Sequence, residues 1–575
     1  MKNIHIHKIA IFFTIIYFVI SISLMFFTYP HEDALILFRY VENFSSSGEI
    51  VFNINGEKTE GATDFLWFLI LSIFNFLGLN VVFSSILINS ISLFFIINSL
   101  QQFFLKKENF FSIITIILIL LNIGPIIGSS LFGFSSIFFI FLGFNCYLSA
   151  INKKLISWTI FSILFCLTRP EGVFIFLPTI FITYFLCSHE DKFRFYKSFF
   201  IITVTGIFYF IWRYLYFDSL LPLPLIVKSI GGETSIIRMA AIGTTILNSF
   251  LLSLIIVIFY SFLKNFKKIF INNNIILLFL ITVFCWIIFL FLLSRGVLTQ
   301  NIYDRYFATF YFFIFIVFLY SLKYMHNFEK IIVLLIVVVT SIDSSNITTR
   351  LLTNNDRILS NPTYHIFKIY KNTNGWSDHP LIRIGKTLRQ EKLTIILTEA
   401  GAIPYLSKKS IIYDIIGLNS NIFSKRPVNC KDISNISPDI IEIDVGPLNW
   451  NSDKPRPEHL VRFDWSSFSK SKKYSDCGFH PKSEIFEDFL HQKEVKLIKR
   501  HKQTKMNNEN NMTTLTAPNN ILICLLKNEN YERIFTNKKS DQIYFVKKDK
   551  NFDFLNNSCN ISKSGYFEDL IRINN

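Results

Sequence analysis

Seven acidic residues, Glu32, Asp33, Glu42, Glu49, Glu57, Glu60 and Asp64, fall between positions 28 and 64. The first 343 residues contain only 16 acids, so the charge is concentrated in this stretch. Glu32 and Asp33 are adjacent and follow directly on an apolar run over 9–27. Neighbouring carboxylates at the edge of such a run repel, so one is expected to keep its proton to higher pH, which suits a general base. The competing reading is electrostatic. His31, Glu32 and Asp33 precede an amphipathic stretch over 34–44, and acid in a first helical turn favours the helix dipole. The residues alone leave both readings open. The same loop could hold a divalent cation, although no ligand spacing demands one.

The elements that must position these groups are legible in composition. Of 575 residues, 51% are hydrophobic and 17% charged. The charge is unevenly divided: 22 Lys/Arg and 16 Asp/Glu up to Asp343, then 35 and 25 in the remaining 232 residues. This predicts an apolar multi-span membrane domain over 1–343 and a water-facing domain over 344–575. A wholly soluble enzyme and a disordered chain are excluded. The net charge of +16 comes without any basic–aromatic array, and its clusters fit loops beside a membrane, so no nucleic-acid partner is expected. The 66 phenylalanines serve as lipid-compatible bulk rather than as stacking platforms.

The run over 9–27 has Lys2 and Lys8 before it and no A-x-A-like site after it, so it reads as an uncleaved first helix. Further spans are expected near 65–104, 110–121, 137–148, 155–167, 173–187, 199–214, 242–263, 275–293, 307–322 and 331–342. Several are shorter than the roughly 20 residues of a full crossing. Basic residues at 106–107, 153–154, 192–197, 264–268, 323 and 330 mark the cytoplasmic loops. The loops 28–63, 122–136, 169–172, 218–234 and 294–306, and everything after 343, then face outward. Segment 65–104 must cross an odd number of times yet is long enough for two helices, so 11 or 13 spans result. Past 343 the chain is mixed α/β, with strands expected at 393–398 and 410–413 separated by the turn-rich 401–404. Of eight cysteines, Cys146, Cys166, Cys187 and Cys285 lie in apolar segments. Cys430, Cys477, Cys524 and Cys559 lie in the polar part, where an oxidising compartment would allow two disulfides and a reducing one would leave thiols.

Cations on the outward side do not follow from the topology rule. They include Arg39, Arg169, Arg213, Lys228, Arg295 and Arg305. An anionic ligand such as a lipid phosphate would explain them, and so would local pairing with Glu171, Asp218 and Asp304.

Longer strings add a resemblance. Residues 31–67 read HEDALILFRYVENFSSSGEIVFNINGEKTEGATDFLW. This resembles the first outer loop of the GT-C glycosyltransferases related to the bacterial arabinofuranosyltransferases. In order along the chain, TRPEG at 168–172, WRY at 212–214, DSLLP at 218–222, Lys228 and Arg305-Tyr306 also resemble that family. So do EAGAIPY at 399–405, DIIGLN at 414–419 and Pro438-Asp439. Three departures stand out. The family's first acidic position is Glu32, its outward acidic turn is Gly133-Phe134-Ser135-Ser136, and its DAG string begins with Glu399.

The resemblance implies a polytopic α-helical membrane protein of about 11–13 spans with a C-terminal mixed α/β extracytoplasmic domain, in a bacterial cytoplasmic membrane. It implies transfer of a sugar from a polyprenyl-phosphate donor to a cell-envelope glycan, lipid or protein acceptor. Glu32 or Asp33 would be the base. Arg39, Arg169, Arg213, Lys228 and Arg305 would meet donor phosphate, Glu60 and Thr63 would shape the loop or bind sugar, and Glu171 would orient Arg169. The rivals are a transporter or flippase of lipid-linked sugars, which more often keeps its ionisable groups mid-membrane, and a non-catalytic relative.

Overall fold

The computed structural model describes residues 2–61, 63–104, 124–229, 249–264, 305, 308–322, 325–326, 328–333, 335–336, 380–425, 428, 430–444, 530–535, 542–550 and 566–574. The elements in chain order begin with α1 (Lys2–Phe27), α2 (Glu32–Ser47), α3 (Phe65–Phe76), α4 (Val81–Phe104), α5 (Gly124–Leu131) and α6 (Ser136–Ile151). Next come α7 (Leu155–Thr168), α8 (Glu171–Leu186), α9 (Lys192–Phe217), α10 (Leu223–Ser229), α11 (Ser249–Lys264), α12 (Ala308–Leu322) and α13 (Pro380–Thr387). The last group is β1 (Thr394–Leu397), α14 (Ala402–Leu406), β2 (Ile411–Asp414), α15 (Asn421–Lys425), α16 (Cys430–Ile436), β3 (Ile440–Asp444), β4 (Tyr531–Phe535), β5 (Gln542–Lys547) and α17 (Tyr566–Asn574).

The chain divides into two compact units. One comprises residues 1–24, 63–220 and 232–373, the other residues 25–62, 221–231 and 374–575. Six of the seven clustered acids, all but Asp64, therefore belong to the same unit as the polar C-terminal part.

The first unit is helical. Among the described residues, three segments are long and apolar enough to cross a membrane: His7–Phe27, Val81–Leu100 and Lys192–Phe217. That composition is compatible with a membrane protein. Few residues of α9 are buried, as in a lipid-facing helix. It is also longer than its sequence signal. Lys192, Arg194 and Lys197, expected in a loop, form its first turns, because long basic side chains tolerate a helical backbone while their heads stay in water. Segment 65–104 is two helices, broken after Leu77 where Gly78 adopts φ +85°, a conformation open to glycine without strain. The first of the two, α3, has 12 residues and is shorter than a full crossing. The expected spans at 110–121 and 275–293 lie outside the described residues.

The second unit is built on a five-stranded sheet of order β2-β1-β3-β5-β4. β1 pairs parallel with both β2 and β3, and β5 pairs antiparallel with β3 and β4. Ile395, Ile396 and Leu397 of β1 are buried, as expected for a strand inside a parallel sheet covered on both faces. β2 is an edge whose backbone would otherwise invite pairing. The Asn53 side-chain amide covers it, donating to Ile412 O at 2.8 Å and accepting from Ile412 N at 3.0 Å. The stretch expected as a turn after β1 is instead the short helix α14. Pro404 fits its first turn because the missing N–H there has no helical acceptor to lose. Cys146, Cys166 and Cys187 are free thiols, and Cys430 is disulfide-bonded. Cys285, Cys477, Cys524 and Cys559 lie outside the described residues.

Candidate functional site

The acidic pair opens α2. His31 is the N-cap in an extended conformation (φ −64°, ψ 152°), and its Nδ1 accepts from Asp33 N at 3.3 Å. The two carboxylates then occupy the first helical turn, as the electrostatic reading expected. Glu32 is 5% exposed, whereas Asp33 is half-buried. Glu32 Oε1 accepts from Gly401 N at 2.6 Å and Oε2 accepts from Ala402 N at 3.0 Å. Burial raises its pKa from an ordinary 4.5 to about 7, the two amides oppose the rise, and the charge of Asp33 adds to it. The approach of the backbones is close. A Cβ on Gly401 would lie 2.7 Å from the Glu32 carbonyl carbon and 2.8 Å from its carboxyl carbon.

Arg39 lies seven residues further, two turns on and on the same face of α2. It is 4% exposed. Its Nε donates to Phe52 O at 2.7 Å, its Nη1 to Pro404 O, and its Nη2 to Asn53 Oδ1 at 3.2 Å and Ser410 O at 3.4 Å. The guanidinium lies 4.9 Å from the Phe52 ring centroid. Burial pushes its pKa down to about 10, so it stays charged at neutral pH. These contacts give Arg39 the work of tying α2 to the loop that follows and to α14.

Tyr40 performs the matching task on the GLN string. Its hydroxyl bonds with Thr59 Oγ1 at 2.9 Å, donates to Asn419 Oδ1 at 3.1 Å and accepts from Gly61 N at 3.0 Å. A Cβ on Gly61 would overlap the Asn419 side chain and lie 2.9 Å from Leu418 O. Asp414, at the end of β2, accepts from Asn419 N and Nδ2, both at 2.9 Å, and from Ile416 N at 3.0 Å. Its burial lifts its pKa to about 6 despite those bonds. Glu60, beside this knot, is buried. Tyr405 closes the other side, donating to Glu42 Oε1 at 2.9 Å and bonding with the Tyr566 hydroxyl at 3.0 Å. α17 completes the wall. Asp569 pairs with Lys386 at 2.7 Å and accepts from Tyr29, the residue two places after α1.

The helical unit holds a second polar cluster of its own. Thr63 Oγ1 donates to Asp64 Oδ1 at 3.1 Å, and Ser135 donates to Asp64 Oδ2. Arg169 Nη1 reaches the same Oδ2 at 3.4 Å, and its Nε and Nη2 both reach Glu171 Oε1 at 2.6 Å. Arg169 is 4% exposed and faces the Phe139 ring at 5.6 Å. Arg305 lies 4.2 Å from the Phe134 ring centroid, one residue from Ser135. Arg213 is 1% exposed, donating to Leu220 O at 3.0 Å and Tyr209 Oη at 3.3 Å between the Tyr209 and Phe217 rings. Lys228 is on α10, and its side chain lies outside the described residues, as do Arg295 and Asp304.

Glu32, Arg39, Tyr40 and Glu42 thus gather on residues more than 360 positions away, and Asp64, Arg169, Glu171 and Arg305 gather around the loop at 134–135. Asn53, Asp64, Tyr405, Tyr566 and Asp569 were not singled out as site residues by type and spacing. The only local signal for them was that Asp64 is one of the seven clustered acids and Tyr405 ends the EAGAIPY string. Among the described residues, no group of three or more His, Cys, Asp or Glu side chains converges as a metal site would require. Comparison with family models, curated proteins and solved structures finds no match to this chain.

Proposed function

We propose that this chain is a membrane glycosyltransferase of GT-C type that takes a sugar from a polyprenyl-phosphate carrier at the outer face of a bacterial cytoplasmic membrane. The acceptor would be a glycan, lipid or protein of the cell envelope, and the membrane domain would have 11 or 13 spans. The observation that carries this reading is the acidic pair in the first turn of α2, set by His31 immediately beyond an apolar helix of spanning length. The strings that resemble the family support it because they are bonded to one another: HEDALILFRYVE at 31–42 to EAGAIPY through Glu32, Arg39 and Glu42, and to DIIGLN through Tyr40.

In this mechanism the acceptor hydroxyl attacks the anomeric carbon while the bond from that carbon to the phosphate oxygen breaks. A hydroxyl is a poor nucleophile, so one carboxylate of the pair takes its proton as the new bond forms. Polyprenyl phosphate leaves as an anion and needs no acid. Cations such as Arg305, whose guanidinium lies over the Phe134 ring, would stabilise its charge. A single base and in-line attack lead to inversion at the anomeric carbon. Arg169 is committed to Glu171 and Asp64, so its work would be to fix the loop after α7 rather than to meet phosphate alone. The disulfide at Cys430 fits an oxidising compartment for the second unit.

The test supplies the purified full-length protein, in lipid nanodiscs, with polyprenyl-phosphoryl pentoses, hexoses and aminosugars and an envelope-extract acceptor. Release of polyprenyl phosphate is followed for the wild type and for Glu32→Gln/Asp33→Asn. Turnover that ignores the double substitution would sink the carboxylate base. Movement of the lipid-linked sugar across the bilayer without transfer would replace this reading with transport.

A further inference from the structure

We infer that the helical unit binds the phosphate headgroup of an anionic phospholipid where the starts of α7 and α9 meet, with the lipid chains lying along the exposed stripe of α9. The inference rests on the chain's spanning a membrane and not on glycosyl transfer. Five cations come together there from two segments of the chain. Lys153 and Lys154 end the turn before α7, and Lys192, Arg194 and Lys197 fall in the first two turns of α9. The two helix starts are neighbours. Trp158 of α7 stacks on Phe195 of α9 with ring centroids 5.6 Å apart, and Tyr184, near the end of α8, lies 5.6 Å from the same Phe195 ring. Lys153 and Lys192 both lie within electrostatic reach of Cys187, the residue that ends α8. The acids in the same two segments are Glu190 and Asp191, of which Asp191 pairs with Arg194 at 3.4 Å.

Neither helix gains from these charges. A cation in a first helical turn faces the positive end of the helix dipole, so its placement there works against the helix. Lys153 adds a backbone cost, since it stands at φ +57°, a conformation disfavoured for an L-residue and open to glycine. An external anion accounts for what local structure does not. That anion belongs to a lipid because of what adjoins it. α9 has no acidic residue, and Phe193, Lys197, Phe200, Ile207, Ile211 and Leu215 are exposed along one stripe of it. Phe193 and Leu215, at the two ends of the stripe, are each 78% exposed. From Lys192 to Trp212 the helix rises about 30 Å, the thickness of a bilayer's hydrocarbon core. Aromatic side chains mark both limits. At one end the Tyr184 and Tyr196 rings are 6.4 Å apart, with Lys192 Nζ 4.8 Å from the Tyr184 ring; at the other, Trp212 stacks on Tyr216 at 5.5 Å. A soluble acidic partner would meet the charges and leave the stripe in water. A phospholipid meets both, its phosphate at the cations and its chains on the stripe.

Photolabelling tests this without any sugar donor. The full-length protein is placed in phosphatidylcholine nanodiscs doped with phosphatidylglycerol or phosphatidylcholine that carries the same photolabel near the start of one acyl chain, and labelled peptides are mapped by mass spectrometry. In the wild type, peptides covering 151–158 and 190–202 should be labelled by phosphatidylglycerol about fivefold or more over phosphatidylcholine. Raising salt to about 1 M should remove most of that preference, since the headgroup contact is electrostatic. In Lys153→Gln/Lys154→Gln/Arg194→Gln/Lys197→Gln the ratio should fall to about one, while 207–217 stays labelled by both lipids as in the wild type. A wild-type ratio near one, or a ratio that salt and the four substitutions leave unchanged, overturns the site. An α9 that neither lipid labels, beside other helices that both label, overturns it as well and gives the face to a partner protein. Labelling of no helix at all overturns the membrane reading together with the site. Lys153→Gly reads the strained turn. It should melt no lower than the wild type, since glycine suits φ +57°, and yet lose about half or more of the lipid preference. A Lys153→Gly protein that keeps the whole preference overturns the part given to Lys153.

Discussion

Replacing Gly401 by alanine asks whether the contact between α2 and α14 is as tight as its geometry states. Gly401 has φ −103°, which an L-residue adopts without strain, so any penalty comes from the added carbon alone. That carbon would lie 2.7 Å from the Glu32 carbonyl carbon and 2.8 Å from its carboxyl carbon, where about 3.5–4.0 Å is comfortable. The Glu32 backbone sits in a helical turn and cannot swing aside by itself, so the two helices must part by roughly an ångström. Overpacking of this kind costs about 1–3 kcal/mol, and stretching the two amide–carboxylate bonds adds about 1.5–3 kcal/mol. Non-additivity trims the sum, which leaves about 3 kcal/mol. For a unit of this size that corresponds to a lowering of the melting temperature by roughly 6–12 °C. The assay is thermal unfolding in nanodiscs, with hydrogen exchange at 401–406 reporting the site. Two controls separate the causes. Gly48→Ala has nothing within 4 Å but φ +75°, so it should cost only the left-handed penalty of about 1–2 kcal/mol. Gly206→Ala, in the middle of α9 with open space around it, should be neutral or slightly stabilising. A Gly401→Ala protein that melts within a degree or two of the wild type, or no lower than Gly48→Ala, would refute the close approach.

Three further outcomes follow from the buried charges. Arg169→Met would strand Asp64 and Glu171 as buried carboxylates and should destabilise the helical unit by about 3–5 kcal/mol, with much of the loss recovered when Asp64→Asn and Glu171→Gln are added; thermal unfolding of the four proteins checks this. Asp569→Ala should cost a similar amount, because Lys386, with 7% of its side chain exposed, loses its ion-pair partner at 2.7 Å, and limited proteolysis should then cut near α17 first. Glu32 and Asp414 both have pKa values raised by burial, to about 7 and about 6. A raised carboxyl binds its proton more readily folded than unfolded, so its contribution is complete below about 4 and is lost as pH rises through the folded value. The second unit should therefore gain stability as pH falls from about 8 to about 5, and Glu32→Gln with Asp414→Asn should flatten that slope; a unit that loses stability over this window in the wild type and not in the double variant would reverse the sign.

What sequence alone determined about this protein is local or compositional. The run over 9–27 became a helix of spanning length, and the alternation of apolar and polar stretches marked most of the described helices of the first unit, because hydrophobic runs and their caps act within a few residues. The strands at 393–398 and 410–413 were visible for the same reason. The place of the acidic pair in a first helical turn could be anticipated from three adjacent residues, and the pair named as a candidate site. Only the tertiary structure decided which of the two carboxylates is buried, since that depends on amides about 370 residues away that no local pattern announces. It likewise decided that Arg39 is bound to carbonyl groups, that Ser135 serves Asp64, and that a loop following the first apolar helix joins the unit of the C-terminal sheet. The physical reason is desolvation: burial turns a generic charge into one that must find particular partners, and those partners are chosen by packing in three dimensions rather than by neighbours in the chain.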